Sequence, residues 1–369
     1  MTLRLLIVAG ETSGDRHAAE LLRALSARVE IDAVGIGGEE LRKAGCNLFH
    51  HVSSMHVTGF LEVVRRYPFF RRTLHQTAAE AIARNVDGAI LVDYPGFNLR
   101  LADLLHARGI PVYYYIAPQT WAWKEKRVAR LRRAVRRLIV ILPFEVDYFR
   151  SHGIDAFYAG NPTTWKIHNE MESRPSTIHR TDARKIIAYL PGSRPNEIQR
   201  HLPIVVEVIR TLGESGYRHI IAKAPHLSDA EYRSAGMDDD IETTTDTLSL
   251  LRTADAGIIK SGTSTLEAAA VRLPFVTIYR TSTLSYLLGK TLALTTYLSM
   301  PNILSGQRVV PELLQDDCTP QRIIEELTSL FMDDVRIRQL DAFDRINRDL
   351  DRGDPFPATA AMIVEDLSQ

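Results

Sequence analysis

Cysteine is almost missing from this chain. Two occur in 369 residues, Cys46 and Cys318, too far apart for a CxxC pair. A disulfide scaffold and a cysteine-built zinc site are thereby excluded. No apolar run is long enough to cross a bilayer. The longest weakly charged stretch, residues 284–300, holds 17 residues with Lys290 inside it, where about 20 are needed. Net charge is zero, 45 basic residues facing 45 acidic ones, whereas nucleic-acid binders are normally basic, so no nucleic-acid partner is expected. Low-complexity tracts and short repeats are absent too. The hydrophobic share of 45% and charged share of 24% are those of a folded globular protein, and about 150 residues per domain predicts two domains or three. The opening MTLRLLIVAGETSGD turns polar at once, so it reads as a first strand and not as a signal peptide. A cytoplasmic protein resting against a membrane is expected.

The zero net charge hides an asymmetry. Residues 1–170 carry 23 basic and 17 acidic residues, net +6; residues 171–369 carry 22 and 28, net −6. A basic half points to a membrane surface or an anionic ligand.

Short apolar runs at residues 3–9, 31–36, 88–92, 111–116 and 138–142 read as strands. Helical spacing at 15–28, 99–107 and 123–133 falls between them. Residues 163–184 are polar and without period, and read as a linker. The alternation restarts with strands at 185–190, 219–223, 256–260 and 275–279 and helices at 196–214 and 264–271; the last 50 residues are mostly helical. Strands alternating with helices predict parallel sheets covered on both faces, here in two similar lobes. In such sheets ligands sit beyond the carboxyl ends of the strands, so the loops there matter most.

In the first lobe, Gly10-Glu11-Thr12-Ser13-Gly14-Asp15 opens a helix. It reads either as an anion or sugar site reached by the backbone at its glycines, or as a plain turn capped by Ser13 or Asp15. Asp93-Tyr94-Pro95-Gly96-Phe97-Asn98 puts a carboxylate at a strand end, as a general base or as a turn residue. Gln119, Trp121 and Trp123 suit a sugar ring or interlobe packing. Residues 124–137 hold eight basic residues and one acidic one, a solvated face or an attraction for anionic headgroups. Residues 57–72 mix Phe60, Leu61, Val63, Val64, Tyr67, Phe69 and Phe70 with four arginines. That suits a membrane interface or an amphipathic helix, which Pro68 would interrupt.

In the second lobe, Leu190-Pro191-Gly192-Ser193-Arg194 reads as a diphosphate site, because guanidinium pairs with phosphate oxygens in a fork, or as a turn with a solvent arginine. Ser261, Gly262, Thr263 and Ser264 at a helix start make an anion cradle. Glu267 follows Ser264 by three, so it reads as a ribose acceptor or as a capping-box glutamate. No GKT is present, which excludes a P-loop. Asn302 in Pro301-Asn302-Ile303-Leu304-Ser305-Gly306 is a turn residue or a ligand contact. The histidines show no metal-ligand spacing.

Taken together, AGETSGD (9–15), DYPGFN (93–98), APQTWAWK (117–124), LPFE (142–145), LPGSR (190–194), SGTSTLEAA (261–269) and PNILSG (301–306) resemble one family, the lipid-A-disaccharide synthases. Each piece is weak alone, but they stand in the family's order and spacing over nearly the whole chain. Asn161 stands where many members have histidine, Ala117 where serine is frequent, and Lys124 where arginine is frequent. The resemblance implies a B-type glycosyltransferase fold, two Rossmann-like α/β domains facing a central cleft. Residues 1–162 would form the acceptor side, 163–345 the UDP-sugar side, and 346–369 a helical segment returning to the first domain.

It also implies an inverting reaction. UDP-2,3-diacylglucosamine would donate its sugar to 2,3-diacylglucosamine 1-phosphate (lipid X), at the cytoplasmic face of the inner membrane, giving the β(1→6) disaccharide 1-phosphate and UDP. Asp93 would be the general base. Arg194 and the N–H groups of Ser261, Gly262, Thr263 and Ser264 would hold the diphosphate. Glu267 would bind ribose, Asn302 would orient a substrate, and Glu11, Ser13, Gln119 and Trp121 would line the acceptor side. No carboxylate pair with metal spacing lies near these loops, so no metal and no cofactor are expected. A homodimer stays open. The competing readings are a UDP-sugar 2-epimerase of the same architecture and a non-enzymatic nucleotide-sugar-binding membrane adaptor.

Overall fold

The computed structural model describes residues 2–55, 66–121, 126–213, 216–282, 286 and 295–369. Residues 57–65 of the aromatic–arginine stretch, Trp123, Lys124 and most of the apolar 284–300 stretch lie outside the described residues. The chain divides into two compact units, residues 1–162 with 352–369, and residues 163–351.

Unit 1 runs β1 (Thr2–Ala9), α1 (Thr12–Ser26), β2 (Glu30–Gly37), α2 (Glu39–Lys43), β3 (Asn47–His51), α3 (Tyr67–Ala83), β4 (Gly88–Val92), α4 (Pro95–His106), β5 (Val112–Tyr115), α5 (Lys126–Ala134), β6 (Arg137–Val140), α6 (Pro143–Ser151) and β7 (Ala156–Tyr158). Its strands pair in parallel in the order β3-β2-β1-β4-β5-β6-β7. The central strands are buried on both faces, which is why they read as unbroken apolar runs. Ala18, Leu21, Leu22 and Leu25 form the buried stripe of α1. The strand order reverses between β1 and β4.

Unit 2 continues with α7 (Pro162–Ser173), β8 (Lys185–Leu190), α8 (Pro195–Leu212), β9 (Tyr217–Ala222), α9 (Asp229–Ser234), β10 (Glu242–Thr244), α10 (Thr247–Thr253), β11 (Ala256–Lys260), α11 (Thr263–Ala270), β12 (Phe275–Tyr279), α12 (Met300–Ser305), β13 (Glu312–Leu314), α13 (Pro320–Ser329) and α14 (Asp333–Leu350). Its parallel order is β10-β9-β8-β11-β12-β13, reversing between β8 and β11.

The last helix, α15 (Pro355–Leu367), belongs to unit 1 and packs against α1. Tyr113 donates to Asp366 at 2.7 Å and Arg136 donates to the same carboxylate. The crossing back begins after Asp351, not at residue 346, because α14 is one continuous helix to Leu350.

A further expectation is corrected. Residues 163–184 are no linker: α7 occupies their first half, and the rest is pinned by polar bonds. Arg174 and Thr177 reach Asp246 (2.6 and 2.7 Å), and Arg180 reaches Asp255 (2.8 Å). Pro68 lies in the first turn of α3, where a missing N–H costs nothing, and residues 57–65, which a helix across the stretch would need, lie outside the described residues. The basic run at 124–137 stays exposed at Arg132, Arg133 and Arg136, with part of its charge met by carboxylates. Arg130 and Arg133 both bind Asp103 (2.8 and 2.5 Å), Arg136 binds Asp366, and Arg137 binds Asp155.

Candidate active site

In unit 1 Ala9 pairs with Val92 in the sheet, so the Gly10 and Asp93 loops leave side by side where the strand order reverses. Asp93 and Tyr94 both take left-handed backbone, φ 47° and 48°. Such conformations in residues with side chains cost about 1–3 kcal/mol each and persist only where the surroundings hold them. Here they are held. The Asp93 N–H donates to Tyr115 O (2.9 Å). Its carbonyl accepts from Asn98 Nδ2 (2.8 Å) and the Tyr114 hydroxyl (2.7 Å), and the Tyr94 hydroxyl donates to Met55 O (3.0 Å). The Tyr94 ring lies over Gly10, where a Cβ would come within 2.3 Å of it. Gly10 therefore serves the tyrosine rather than a ligand's approach.

The turn leaves the Asp93 carboxyl partly buried and next to Glu11. Burial first, then the Glu11 charge, pushes its pKa up to about 6, against the opposing hydrogen bond from the Tyr94 N–H. Glu11 occupies the N-cap of α1 without capping it, and Ser13 is exposed in the first turn. Neither Ser13 nor Asp15 caps this helix. Asp15 is buried and takes N–H groups of the α2 start, Gly38 (2.6 Å), Glu40 (3.2 Å) and Leu41 (3.2 Å).

Beyond β5, Gln119 is exposed. Trp121 donates its Nε1–H to Glu145 Oε1 (2.9 Å) and sets its ring edge-on to Phe144, centroids 5.0 Å apart. Glu145 Oε2 accepts the Leu142 and Ile141 N–H groups (3.1 and 3.3 Å). Burial pushes this carboxyl up to about 7, opposed by those hydrogen bonds. Glu145 ties the loops after β5 and β6 together, a role the sequence reading missed. Its place three residues after Leu142 at a helix start was the available signal. Asn161 is buried and donates to Ile141 O (2.9 Å) on the same loop.

In unit 2 Leu190 pairs with Ile259, so LPGSR and SGTST leave adjacent strand ends at that unit's reversal point. Arg194 is exposed, 3.8 Å from Glu197. Ser261 is not part of the anion cradle. Its N–H goes to Ile278 O (3.0 Å) and its hydroxyl to Leu298 O (2.9 Å), which closes β11 onto its neighbours. Gly262 is the N-cap of α11, with Thr263 and Ser264 in the first turn. Glu267 is then the fifth helical residue, not the third, so the capping-box reading fails.

Asn302 is fully buried and its amide is used up. Nδ2 donates to Val310 O (2.9 Å) and Glu312 (2.8 Å), and Oδ1 accepts from Val309 and Val310 N–H (2.7 and 2.8 Å). It has no group left to orient a substrate; it clamps the loop before β13. Among the described residues no group of three or more His, Cys, Asp or Glu could hold a metal ion, and no helix is long and apolar enough to cross a membrane.

Comparison with solved structures places this fold. It matches a UDP-GlcNAc 2-epimerase from Neisseria meningitidis bound to UDP-GlcNAc, with TM-score 0.65 at 13% identity over 100% of both chains. It also matches CalG4, the calicheamicin glycosyltransferase, with TM-score 0.61 at 16% identity over 99% of this chain and 98% of that one. The class is thus the B-type glycosyltransferase architecture, which epimerases share; at these identities the likeness is one of fold alone. Sequence decides within the class. Residues 5–352 match the lipid-A-disaccharide synthetase family. Lipid-A-disaccharide synthases from Myxococcus xanthus and Koribacter versatilis are 38% and 35% identical, over 89% and 92% of this chain and 88% and 90% of theirs. The chain belongs to the lipid-A-disaccharide synthase family, and it is a glycosyltransferase of lipid A biosynthesis.

Proposed function

We propose that the enzyme joins UDP-2,3-diacylglucosamine to 2,3-diacylglucosamine 1-phosphate. The acceptor 6-hydroxyl oxygen attacks the anomeric carbon. Its proton passes to Asp93, the bond from that carbon to the diphosphate oxygen breaks, and UDP leaves with the electron pair. Inversion gives the β(1→6) disaccharide 1-phosphate. Unit 1 is the acceptor side, with Glu11, Ser13, Gln119 and Trp121 around the sugar. Unit 2 is the nucleotide side: Arg194 and the N–H groups of Gly262, Thr263 and Ser264 meet the diphosphate as charge builds on it, and Glu267 accepts ribose hydroxyls.

The observation that carries this reading is Asp93. A strained turn at the sheet reversal holds its carboxyl beside Glu11, with a pKa of about 6, suited to taking a proton near neutral pH. Positioned base catalysis is worth about 10²–10⁴-fold, so Asp93→Asn and Asp93→Ala should lower disaccharide formation by that much. Turnover within threefold of wild type would remove Asp93 from the mechanism. Omitting the acceptor in the same assay exposes epimerisation of the donor sugar, should that occur.

Both substrates carry acyl chains, so the enzyme should work against an anionic membrane surface. The exposed face of α3, with Tyr67, Pro68, Arg71, Arg72 and His75 around a shallow hollow, is the expected contact. Flotation with anionic vesicles should fall with salt and with an Arg71→Glu/Arg72→Glu double variant. Equal flotation of the variant would reject this face.

A further inference from the structure

Glu197 and Lys260 have no part in the scheme above, yet they join its two nucleotide-side loops. Lys260 is the last residue of β11, immediately before Ser261 and Gly262; Glu197 lies in the first turn of α8, just after Arg194. Lys260 Nζ is 2.8 Å from Glu197 Oε1, and each side chain is only about one-sixth exposed, 16% and 17%. Exposed pairs contribute about 0–1 kcal/mol, but this one is shielded from water and its geometry is fixed on every side. Glu197 Oε2 takes the Ser193 N–H (3.0 Å). A Cβ on Gly192, φ +133°, would sit 2.6 Å from the Glu197 Cβ, so the LPGSR turn lies directly on this side chain.

The Glu197 carbonyl accepts from His201 Nδ1 (2.8 Å), while His201 Nε2 accepts the Arg280 N–H (2.8 Å) at the end of β12. The Lys260 ammonium lies 5.7 Å from the centre of the Tyr279 ring. Burial alone would raise the Glu197 pKa, but Lys260, the Ser193 N–H and Arg194 together hold it below the usual range, so it stays a carboxylate. A Cβ on Gly262 would be 3.6 Å from Nζ, so the start of α11 passes directly by the ammonium.

We propose that Glu197 and Lys260 are a positioning pair that locks the Gly192-Ser193-Arg194 turn to the start of α11 and makes the site select a diphosphate over a monophosphate. The proposal rests on unit 2 being the nucleotide side. Glu197 holds the turn through Ser193, and Lys260 both holds Glu197 and cancels its charge. Without the lysine, the turn loses its tie to β11, and only the Ser193 N–H and Arg194 offset the carboxylate facing the ligand. The penalty then falls mainly on the second phosphate, which a monophosphate lacks.

The test titrates the full-length enzyme with UDP and with UMP and reads the ratio of the two affinities. That ratio does not depend on how much of the protein is folded. A charge-assisted contact is worth about tenfold or more, so Lys260→Met should weaken UDP at least about tenfold and UMP less than about twofold, with Lys260→Arg recovering most of the loss. Equal weakening of both nucleotides, or of neither, overturns the proposal. Glu267→Ala separates this from the underlying reading. If it weakens UDP and UMP alike while Lys260→Met changes neither, only the pair's role fails. If it too changes neither, the assignment of the nucleotide to unit 2 fails.

Discussion

The two units build their strand-reversal loops from opposite materials. Unit 1, from the basic half of the chain, presents carboxylates, Glu11 and Asp93; unit 2, from the acidic half, presents Arg194, Lys260 and helix N–H groups. The sign of a half's net charge therefore does not foretell the sign of its site. The backbone differs in the same way. At its reversal unit 1 puts side-chain-bearing residues, Asp93 and Tyr94, at positive φ, whereas unit 2 uses Gly192 and Gly262 at its own. Glycine costs little there and opens the backbone to a ligand; an aspartate at positive φ costs energy and aims a carboxyl.

The largest effect that would sharpen this contrast is at Asp93. Its folded pKa of about 6 exceeds the ordinary value of 3.8. The fold thus favours the protonated acid, and stability is lost as pH rises from about 4 through 6. Asp93→Asn should abolish the acidic limb of the kcat/KM profile near pH 6 while stabilising the fold above that pH, by roughly 2 kcal/mol, a gain that vanishes toward pH 4. No gain at pH 8 in denaturant melts would mean the turn stores no such cost.

Next in size is Asn302→Ala. It leaves the Val309 and Val310 N–H groups without their acceptor, so stability should fall by about 3 kcal/mol while kcat per folded molecule stays within about threefold. Unchanged stability with lost activity would return Asn302 to the substrate. The smallest expected effect is Glu267→Ala in steady-state kinetics. The donor KM should rise about tenfold, and no helix cap is lost. A large drop in melting temperature with unchanged KM would make Glu267 structural.

The central strands were legible because both faces are buried, so each reads as an apolar run; the expected 88–92, 185–190, 256–260 and 275–279 coincide with β4, β8, β11 and β12. The strands that escaped, β3, β7, β10 and β13, are the four sheet edges. They are short and only partly buried, so NLFHH, AFY, ETT and ELL carry no pattern. Glu145 and Glu197 escaped for a related reason: beside local backbone N–H groups, each has a side-chain partner, Trp121 and Lys260, that only the fold brings near.

Local chemistry alone determined the alternation of strand and helix, the glycine and proline turns after the strands, and the residue types in those turns, because each depends on neighbours within a few positions. Which of those polar groups stay free for a ligand was settled by packing. Ser261 and Asn302 looked as available as Asp93 and Arg194, but a hydrogen bond across 37 positions claims the first, and the loop before β13 claims the second. A hydrogen-bonding group has few lone pairs and protons, and only the three-dimensional neighbourhood decides who uses them.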